Sequence, residues 1–265
     1  MHEPPAFAVR RALLGALGVT CVGLSSPAQA VRPRADSPEA AIDPLPMDTG
    51  LAGRWGAAMR RDLGWAARWQ TTPSRQVLDR LESGDAEVGL FLTHPRADHL
   101  IQEGLIHDRR KLARTEVWLI GPANDPAGIQ AEKDPARALA QVLAAQAAGV
   151  AALQTGLPDE SRGSDSPLLS LAQQLMGQGK ALPPPAQAGA PTYRLVTQAA
   201  WLHAGPARPG TRIWFQGHPA LALHLEVARS FRGKHPGGRL LVDWLDRPTA
   251  RNALHGAVGW QNTKG

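Results

Sequence analysis

The sequence contains little cysteine and few aromatic residues. Cys21 is the one cysteine among 265 residues, and Phe, Trp and Tyr together make up 5% of the chain. Cys21 lies in an N-terminal segment that has the features of a removable export signal. A mature chain without that segment has no thiol, which excludes disulfide bonds, cysteine-ligated zinc and a cysteine nucleophile.

Motifs typical of common enzymes are also missing. The sequence has no Gly-x-Ser-x-Gly nucleophile elbow, no P-loop and no GxGxxG segment. His94, Asp98 and His99 in "THPRADHL" are residue types that bind zinc, but a further spaced histidine would be needed. We therefore expect no catalytic residues, no metal and no cofactor. An exported α/β hydrolase remains the alternative, favoured by scattered His and Ser residues alone.

The first thirty residues have the pattern of a signal peptide. Residues 2–11 are basic, residues 12–24 are apolar, and "SSPAQA" offers an Ala-x-Ala cleavage site after Ala30. The apolar run, about 13 residues long, is too short to cross a bilayer core of about 30 Å as a helix. We expect export to the periplasm, cleavage after Ala30 and a flexible lead-in over residues 31–40. A retained membrane anchor is the alternative.

The charge of the chain is moderately basic and dispersed. The formal net charge is +6 at pH 7, and removal of residues 1–30 lowers it to +5. No stretch interleaves aromatic and basic residues as nucleic-acid grooves do, so we expect no nucleic-acid partner. The length and the 43% hydrophobic content suit one large domain or two lobes of roughly 100 residues each.

Hydrophobic periodicity predicts an α/β fold. Residues 49–65 repeat apolar side chains every four positions, as a helix with one buried face does. Residues 86–95 form an apolar run typical of a strand that is buried on both faces. Residues 133–149 read as a helix that starts at Asp134 with Pro135 in its first position. Alternation of strands and helices predicts a mostly parallel sheet.

The middle of the chain contains an abrupt join, "LIGPANDPAGIQ" (119–130). An apolar run ends at Gly121 and Pro122, and the chain then turns through Asn124 and Asp125 into a segment of helical composition. Such a join is expected where a chain leaves one lobe and enters another. An ordinary strand-loop-helix connection within one domain is the alternative.

Three motifs, in their order along the chain, carry a resemblance to a known family. They are "ESGDAEVGLFLTHP" (82–95), "VWLIGPANDPAGI" (117–129) and "LLVDWLDRPTARNALHG" (240–256). Together they resemble the tungstate-binding proteins of bacterial ABC importers, over roughly residues 40–256. The resemblance implies a two-lobed type II periplasmic binding protein of class α/β, with a ligand cleft between the lobes.

The same resemblance implies a domain plan and partners. Lobe one would comprise residues 41–116 and 217–265, and lobe two residues 117–216. The chain would cross near residues 117–122 and return within residues 211–228. The implied solute is tungstate, molybdate or another small anion, the implied partner is the permease of an ABC importer, and we expect a monomer.

The positions that match the family's ligand loops give the candidate site. They are Asp43, Thr71, Thr72, Ser74, Arg75, Ser161, Arg162, Ser166 and Thr197. Two alignments are open around residues 161–166, and both place Ser161 and Arg162 in the loop.

The candidate site departs from the family pattern. Asp43 and its neighbouring prolines stand where the family has a Thr/Ser run, and a carboxylate repels an oxyanion. Gln198 and Ala199 replace an Asp-Arg pair. We therefore expect weak binding of a bare tetrahedral oxyanion, and a solute with its own donors would use Asp43 as an acceptor. A degenerate receptor that acts in sensing stays open.

Overall fold

The structure is a computed structural model that describes residues 37–157, 166–177, 189–205 and 209–263. The predicted signal peptide lies outside these ranges, as do Ser161 and Arg162. Among the described residues, no helix combines the length and the apolar character that crossing a membrane requires.

The described ranges contain nine strands and nine α-helices. The strands are β1 (Glu39–Ile42), β2 (Arg68–Thr71), β3 (Val88–Leu92), β4 (Ile106–Pro122), β5 (Ala152–Thr155), β6 (Thr192–Thr197), β7 (Thr211–Phe215), β8 (Ala222–Ser230) and β9 (Gln261–Asn262). The helices are α1 (Pro44–Asp48), α2 (Leu51–Leu63), α3 (Ser74–Ser83), α4 (Pro95–Gln102), α5 (Pro135–Ala147), α6 (Pro167–Met176), α7 (Gln198–His203), α8 (Pro236–Leu245) and α9 (Pro248–Asn252).

The strands follow the order β2-β1-β3-β8-β4-β6-β5, and β7 and β9 also pair with β4. β1 runs parallel to β2 and β3, and β5 runs parallel to β6. β8 lies between β3 and β4 and is antiparallel to both. The prediction of a mostly parallel sheet is therefore wrong for the centre of the sheet, because the late strand β8 separates β3 from β4.

Strand β4 changes its pairing partners along its length. Residues 106–116 pair with β8 and, in part, with β9, whereas residues 117–122 pair with β6 and β7. The strand extends well before the apolar run that ends at Gly121 and Pro122. Different hydrophobic clusters accompany the two halves: one contains Trp55 and Trp244, and another contains Leu119 and Tyr193.

Three elements confirm what local patterns predict. Helix α2 buries Leu51, Trp55 and Met59 of the predicted stripe. Every residue of β3 is buried, as the continuous apolar run indicates. Helix α5 begins after Asp134, whose side chain accepts a hydrogen bond from the backbone of Ala136 and so caps the helix.

The join at residues 121–130 is a turn held by the one tyrosine of the chain. Tyr193 Oη donates to Asp125 Oδ1 at 2.6 Å and accepts from the backbone N–H of Ala127 at 3.2 Å. Asp125 Oδ2 accepts from the backbone N–H of Gln130 at 2.8 Å. A Cβ atom on Gly121 would lie 2.3 Å from Tyr193 Cδ1, so the ring requires glycine there.

Candidate functional site

The carboxyl ends of β1, β2 and β3 lie along one edge of the sheet, because these strands are parallel. Asp43 follows β1, Thr72 follows β2 and Thr93 follows β3. In open α/β sheets, ligands bind beyond the carboxyl ends of the strands, next to helix N-termini. This edge is therefore the candidate site that the fold itself indicates.

Asp43 is a buried carboxylate that links the starts of two helices. Its Oδ1 accepts from the backbone N–H of Leu45 at 3.0 Å, which caps α1. Its Oδ2 accepts from both the backbone N–H of Ser74, at 3.0 Å, and the hydroxyl of Ser74, at the start of α3. Burial raises the pKa of Asp43, and the hydrogen bonds from Ser74 and Leu45 act against that increase.

Ser74 is fully buried and has no proton left for a ligand. Its hydroxyl oxygen accepts from the backbone N–H of Leu92 at 2.8 Å, while its hydroxyl proton goes to Asp43. The pair therefore joins the ends of β1 and β3 to α3. Asp43 and Ser74, both predicted site residues, are therefore in direct contact, and the donors of Ser74 bind the carboxylate of Asp43.

Two other hydroxyls along this edge also donate within the chain. Thr72 donates to the side chain of Gln76, and Thr93 donates to Glu226 Oε1 at 3.0 Å. Thr71 is exposed at the end of β2. Arg75 lies in the first turn of α3, where its Nε is 3.2 Å from Asp79 Oδ1.

Glu226 adds a second buried carboxylate near this edge. Its side chain has no exposed surface, and it pairs with Arg109, which also pairs with Asp98. One guanidinium is thus shared between two carboxylates. Sequence reasoning missed Glu226 and Thr93; the position of Thr93 directly after a buried strand was the available signal.

Thr197 caps a helix from the other part of the sheet. It lies at the end of β6, and its hydroxyl oxygen accepts from the backbone N–H of Ala200 at 3.2 Å. The neighbouring N–H of Ala199 donates to Thr115 Oγ1 at 3.2 Å. A Cβ atom on Gly259 would lie 2.4 Å from Ala199 Cα, so the C-terminal segment covers this helix start closely.

Ser166 caps α6 and belongs to a separate part of the structure. Its hydroxyl oxygen accepts from the backbone N–H of Leu168 at 3.3 Å. Leu168 packs in the cluster around Leu119 and Tyr193. The backbone carbonyl of Ser166 accepts from the N–H of Ser170, so these hydrogen bonds stay within α6.

The histidine and aspartate residues considered for zinc serve other contacts. His94 caps α4, with Nδ1 accepting from the backbone N–H of Arg96 at 3.1 Å. Asp98 pairs with Arg109. Across the described ranges, no three His, Cys, Asp or Glu side chains are grouped as metal ligands.

Comparison with known proteins adds sequence and fold relationships. No family model matches the chain. The chain is 28% identical over 168 residues to the "Putative ABC transporter anion-binding protein" of Haloferax volcanii. That match covers 58% of this chain and 46% of the relative, so the chain spans less than half the length of the curated relative.

Solved structures of tungstate proteins share the fold. The tungstate-binding protein TupA from Desulfovibrio alaskensis G20 superposes with a TM-score of 0.66 and 19% identity, covering 86% of this chain and 99% of that one. The tungstate ABC transporter protein from Geobacter sulfurreducens gives a TM-score of 0.62 and 19% identity, covering 83% and 98%. The chain has the fold of the type II periplasmic binding proteins. The predicted fold class is confirmed.

Within this binding-protein fold, the predicted site residues fall into three groups. Asp43 and Ser74 are in contact, and Thr71, Thr72 and Arg75 lie beside them along the chain at the same edge. Thr197 starts α7, which packs against α1. Ser166 starts α6, which packs in the cluster around Leu119 and Tyr193, and Ser161 and Arg162 lie outside the described residues.

Proposed function

We propose that this chain is the exported solute-binding protein of an ABC importer and that its solute is a small anion. The observation that carries the proposal is the similarity to the Haloferax volcanii protein, because its name specifies both an ABC transporter and an anion. The shared fold with two tungstate proteins supports the same class. We also propose that the protein is located in the periplasm, that it binds the permease of the importer and that it is a monomer.

A two-lobed arrangement is part of the same proposal. The pairing of β4 changes between Glu116 and Val117, and different hydrophobic clusters lie on the two sides of that change. These observations support lobe one at residues 41–116 and 217–265 and lobe two at residues 117–216. The solute would then bind between the lobes, as in binding proteins that close around their ligands.

A second candidate is a receptor that has lost transport function and acts in sensing. The observation that favours it is the buried Asp43, which takes three hydrogen bonds that could otherwise hold an anion. A hydrolase has less support, because the hydroxyls of Ser74 and Thr93 donate to carboxylates instead of to a histidine side chain.

A thermal-shift screen of the mature chain tests the proposal. The chain starting at Val31 is heated with tungstate, molybdate, sulfate, phosphate, bicarbonate, formate and acetate in turn. A ligand at 100 times its Kd stabilises the folded state by about 2.7 kcal/mol, which is readily measured. A specific rise in Tm with at least one anion is expected. If none of these anions raises the Tm at millimolar concentration, the anion-binding function is wrong.

A further inference from the structure

We infer that residues 257–262 form a strap that fastens helix α7 to lobe one and thereby restricts the opening of the proposed cleft. The inference rests on the two-lobed arrangement proposed above, and it adds the contact that controls how far the two lobes separate. The strap contacts three elements, which are the end of α1, the first turn of α7 and the connecting strand β4.

The strap itself belongs to lobe one. The side chains of Ala257 and Trp260 are buried in the cluster that contains Trp55 and Trp244. Trp260 Nε1 donates to Thr49 Oγ1 at 2.9 Å, and Thr49 directly follows α1. The indole is therefore fixed both by packing and by a hydrogen bond, which anchors the middle of the strap next to α1.

The strap also pairs with β4 on the lobe-one side of the point where β4 changes partners. β9 pairs with β4 at Ala113 and Arg114, and the change of partners lies between Glu116 and Val117. Arg114 Nε donates to Gln261 Oε1 at 2.9 Å, which adds a side-chain contact to this pairing. The end of the strap is therefore held close to the proposed crossing between the lobes.

The backbone of the strap lies directly on the first turn of α7. A Cβ atom on Gly259 would lie 2.4 Å from Ala199 Cα, 2.6 Å from Ala199 N and 2.9 Å from Gln198 C. These are backbone atoms, which cannot rotate away as the end of a side chain can. Gly259 also has a φ of +77°, which favours glycine. Only glycine therefore lets the strap approach α7 this closely.

Helix α7 lies where the two lobes meet. It falls in the range proposed for lobe two and directly continues β6. Trp201 packs with Val196 of β6, whereas Ala199 and Ala200 pack in the lobe-one cluster. The backbone N–H of Ala199 also donates to Thr115 Oγ1 in the lobe-one part of β4. Movement of β6 away from lobe one therefore has to pull α7 off the strap.

A strap of this kind favours the closed arrangement. Binding proteins separate and close their lobes by rotation at a few connecting residues. In this chain the rotation must also break the contact between Gly259 and Ala199, which has no exposed surface. The strap also positions Thr197, the predicted site residue that caps α7. Loosening the strap should therefore open the proposed cleft without changing any predicted site residue.

Three variants test the strap. Gly259→Ala loosens it, because the added methyl group overlaps backbone atoms of α7. Gly210→Ala is the matched control: Gly210 has the same φ of +77°, but nothing lies within 4 Å of its added Cβ, so this variant has the backbone strain without the overlap. Trp260→Phe is milder, since it keeps a ring in the cluster and removes the hydrogen bond to Thr49.

The distance between two spin labels reports the opening. The chain that starts at Val31 contains no cysteine, so Arg61→Cys on α2 and Arg137→Cys on α5 give one label for each proposed lobe. Both arginine residues are exposed. Pulsed electron-spin resonance of the folded protein then gives the distribution of distances between the labels, with and without each strap variant.

We expect one short distance for the labelled parent and for Gly210→Ala, and a second, longer distance for Gly259→Ala. Trp260→Phe should show a smaller share of the same longer distance. If Gly259→Ala gives the same distribution as Gly210→Ala, the inference is wrong. Should Gly259→Ala not fold, Trp260→Phe decides the question, and a distribution identical to that of the parent contradicts the strap.

These outcomes are independent of the anion screen, because the label distances are measured without any of its anions. If no anion raises the Tm but Gly259→Ala gives the longer distance, the proposed solute is wrong and the strap stands. If an anion raises the Tm but Gly259→Ala leaves the distances unchanged, the proposed solute stands and the strap inference is wrong.

Discussion

The ring of Tyr193 lies over Gly121, at a place where a Cβ atom would be 2.3 Å from Tyr193 Cδ1. The two residues face each other across neighbouring strands β4 and β6, next to the turn at Asp125. The join at residues 119–130 is therefore packed against the ring of Tyr193. Its glycine is required by the contact with that ring.

Substitution of Gly121 by alanine should destabilise the protein. The added methyl group overlaps a fully buried ring, and overpacking of this kind costs about 1–3 kcal/mol. The measurement is the free energy of unfolding in urea. Gly53→Ala in α2 is the matched control, because nothing lies within 4 Å of its added Cβ. We expect a lower free energy of unfolding for Gly121→Ala and no loss for Gly53→Ala; equal effects would contradict the contact between Gly121 and Tyr193.

The hydroxyl of Tyr193 should ionise late in the native state. Burial, followed by the hydrogen bond to Asp125, raises the pKa of Tyr193 to about 12, whereas an unfolded tyrosine ionises near about 10. Its contribution to stability is present below pH 10 and is lost as the pH rises toward 12. Because the chain has one tyrosine, the ultraviolet absorbance of tyrosinate reports this residue alone. A native midpoint near 10 would contradict the contact.

Asp125 should contribute to stability except in strong acid. Burial acts to raise its pKa, but the hydrogen bonds from Tyr193 and the backbone outweigh burial and lower the pKa below its ordinary 3.8. The contribution is therefore present above the unfolded pKa and is lost as the pH falls through the folded pKa. The difference in unfolding free energy between wild type and Asp125→Asn should shrink from about pH 6 to about pH 2. A constant difference would show that the charge of Asp125 is irrelevant.

Thr93 should matter more than Thr72, a half-buried threonine of the same edge whose hydrogen bond is exposed. Thr93→Val leaves the buried Glu226 with one donor fewer, and an unsatisfied buried acceptor costs about 1–3 kcal/mol. Thr72→Val is the control, because its hydrogen bond to Gln76 is exposed and such changes stay within about 0.5 kcal/mol. Urea unfolding of both variants gives the comparison. Similar losses would show that Glu226 does not depend on Thr93.

Local sequence patterns predicted three of the elements but not the arrangement of the strands. Each of these three elements depends on residues that are neighbours along the chain. They are the apolar side chains at every fourth position of α2, the apolar run of β3 and the Asp134-Pro135 start of α5. The insertion of β8 between β3 and β4 depends on pairing between distant segments, which periodicity does not encode. The fold class came from motif resemblance, and the structural comparisons confirm it.

The candidate site shows the same division. An aspartate before a proline is a local signal for a helix start, so the capping of α1 by Asp43 was readable from the sequence. Its second contact, with Ser74, lies 31 residues away, and the contact of Thr93 with Glu226 spans 133 residues. Such partners are set by the packing of β1, β3 and α3. The sequence alone therefore showed a carboxylate, Asp43, where the resembled family has hydroxyls. It did not show that Ser74 donates hydrogen bonds to this carboxylate.

The most direct test of the account is titration calorimetry with tungstate on the mature wild type and on Asp43→Thr. Threonine keeps a side chain that can cap α1 while removing the carboxylate, so the variant should fold. The account predicts no measurable heat of tungstate binding for the wild type and binding at least tenfold tighter for Asp43→Thr, a difference of about 1.4 kcal/mol or more. Tight binding of tungstate by the wild type, unchanged in Asp43→Thr, would contradict it.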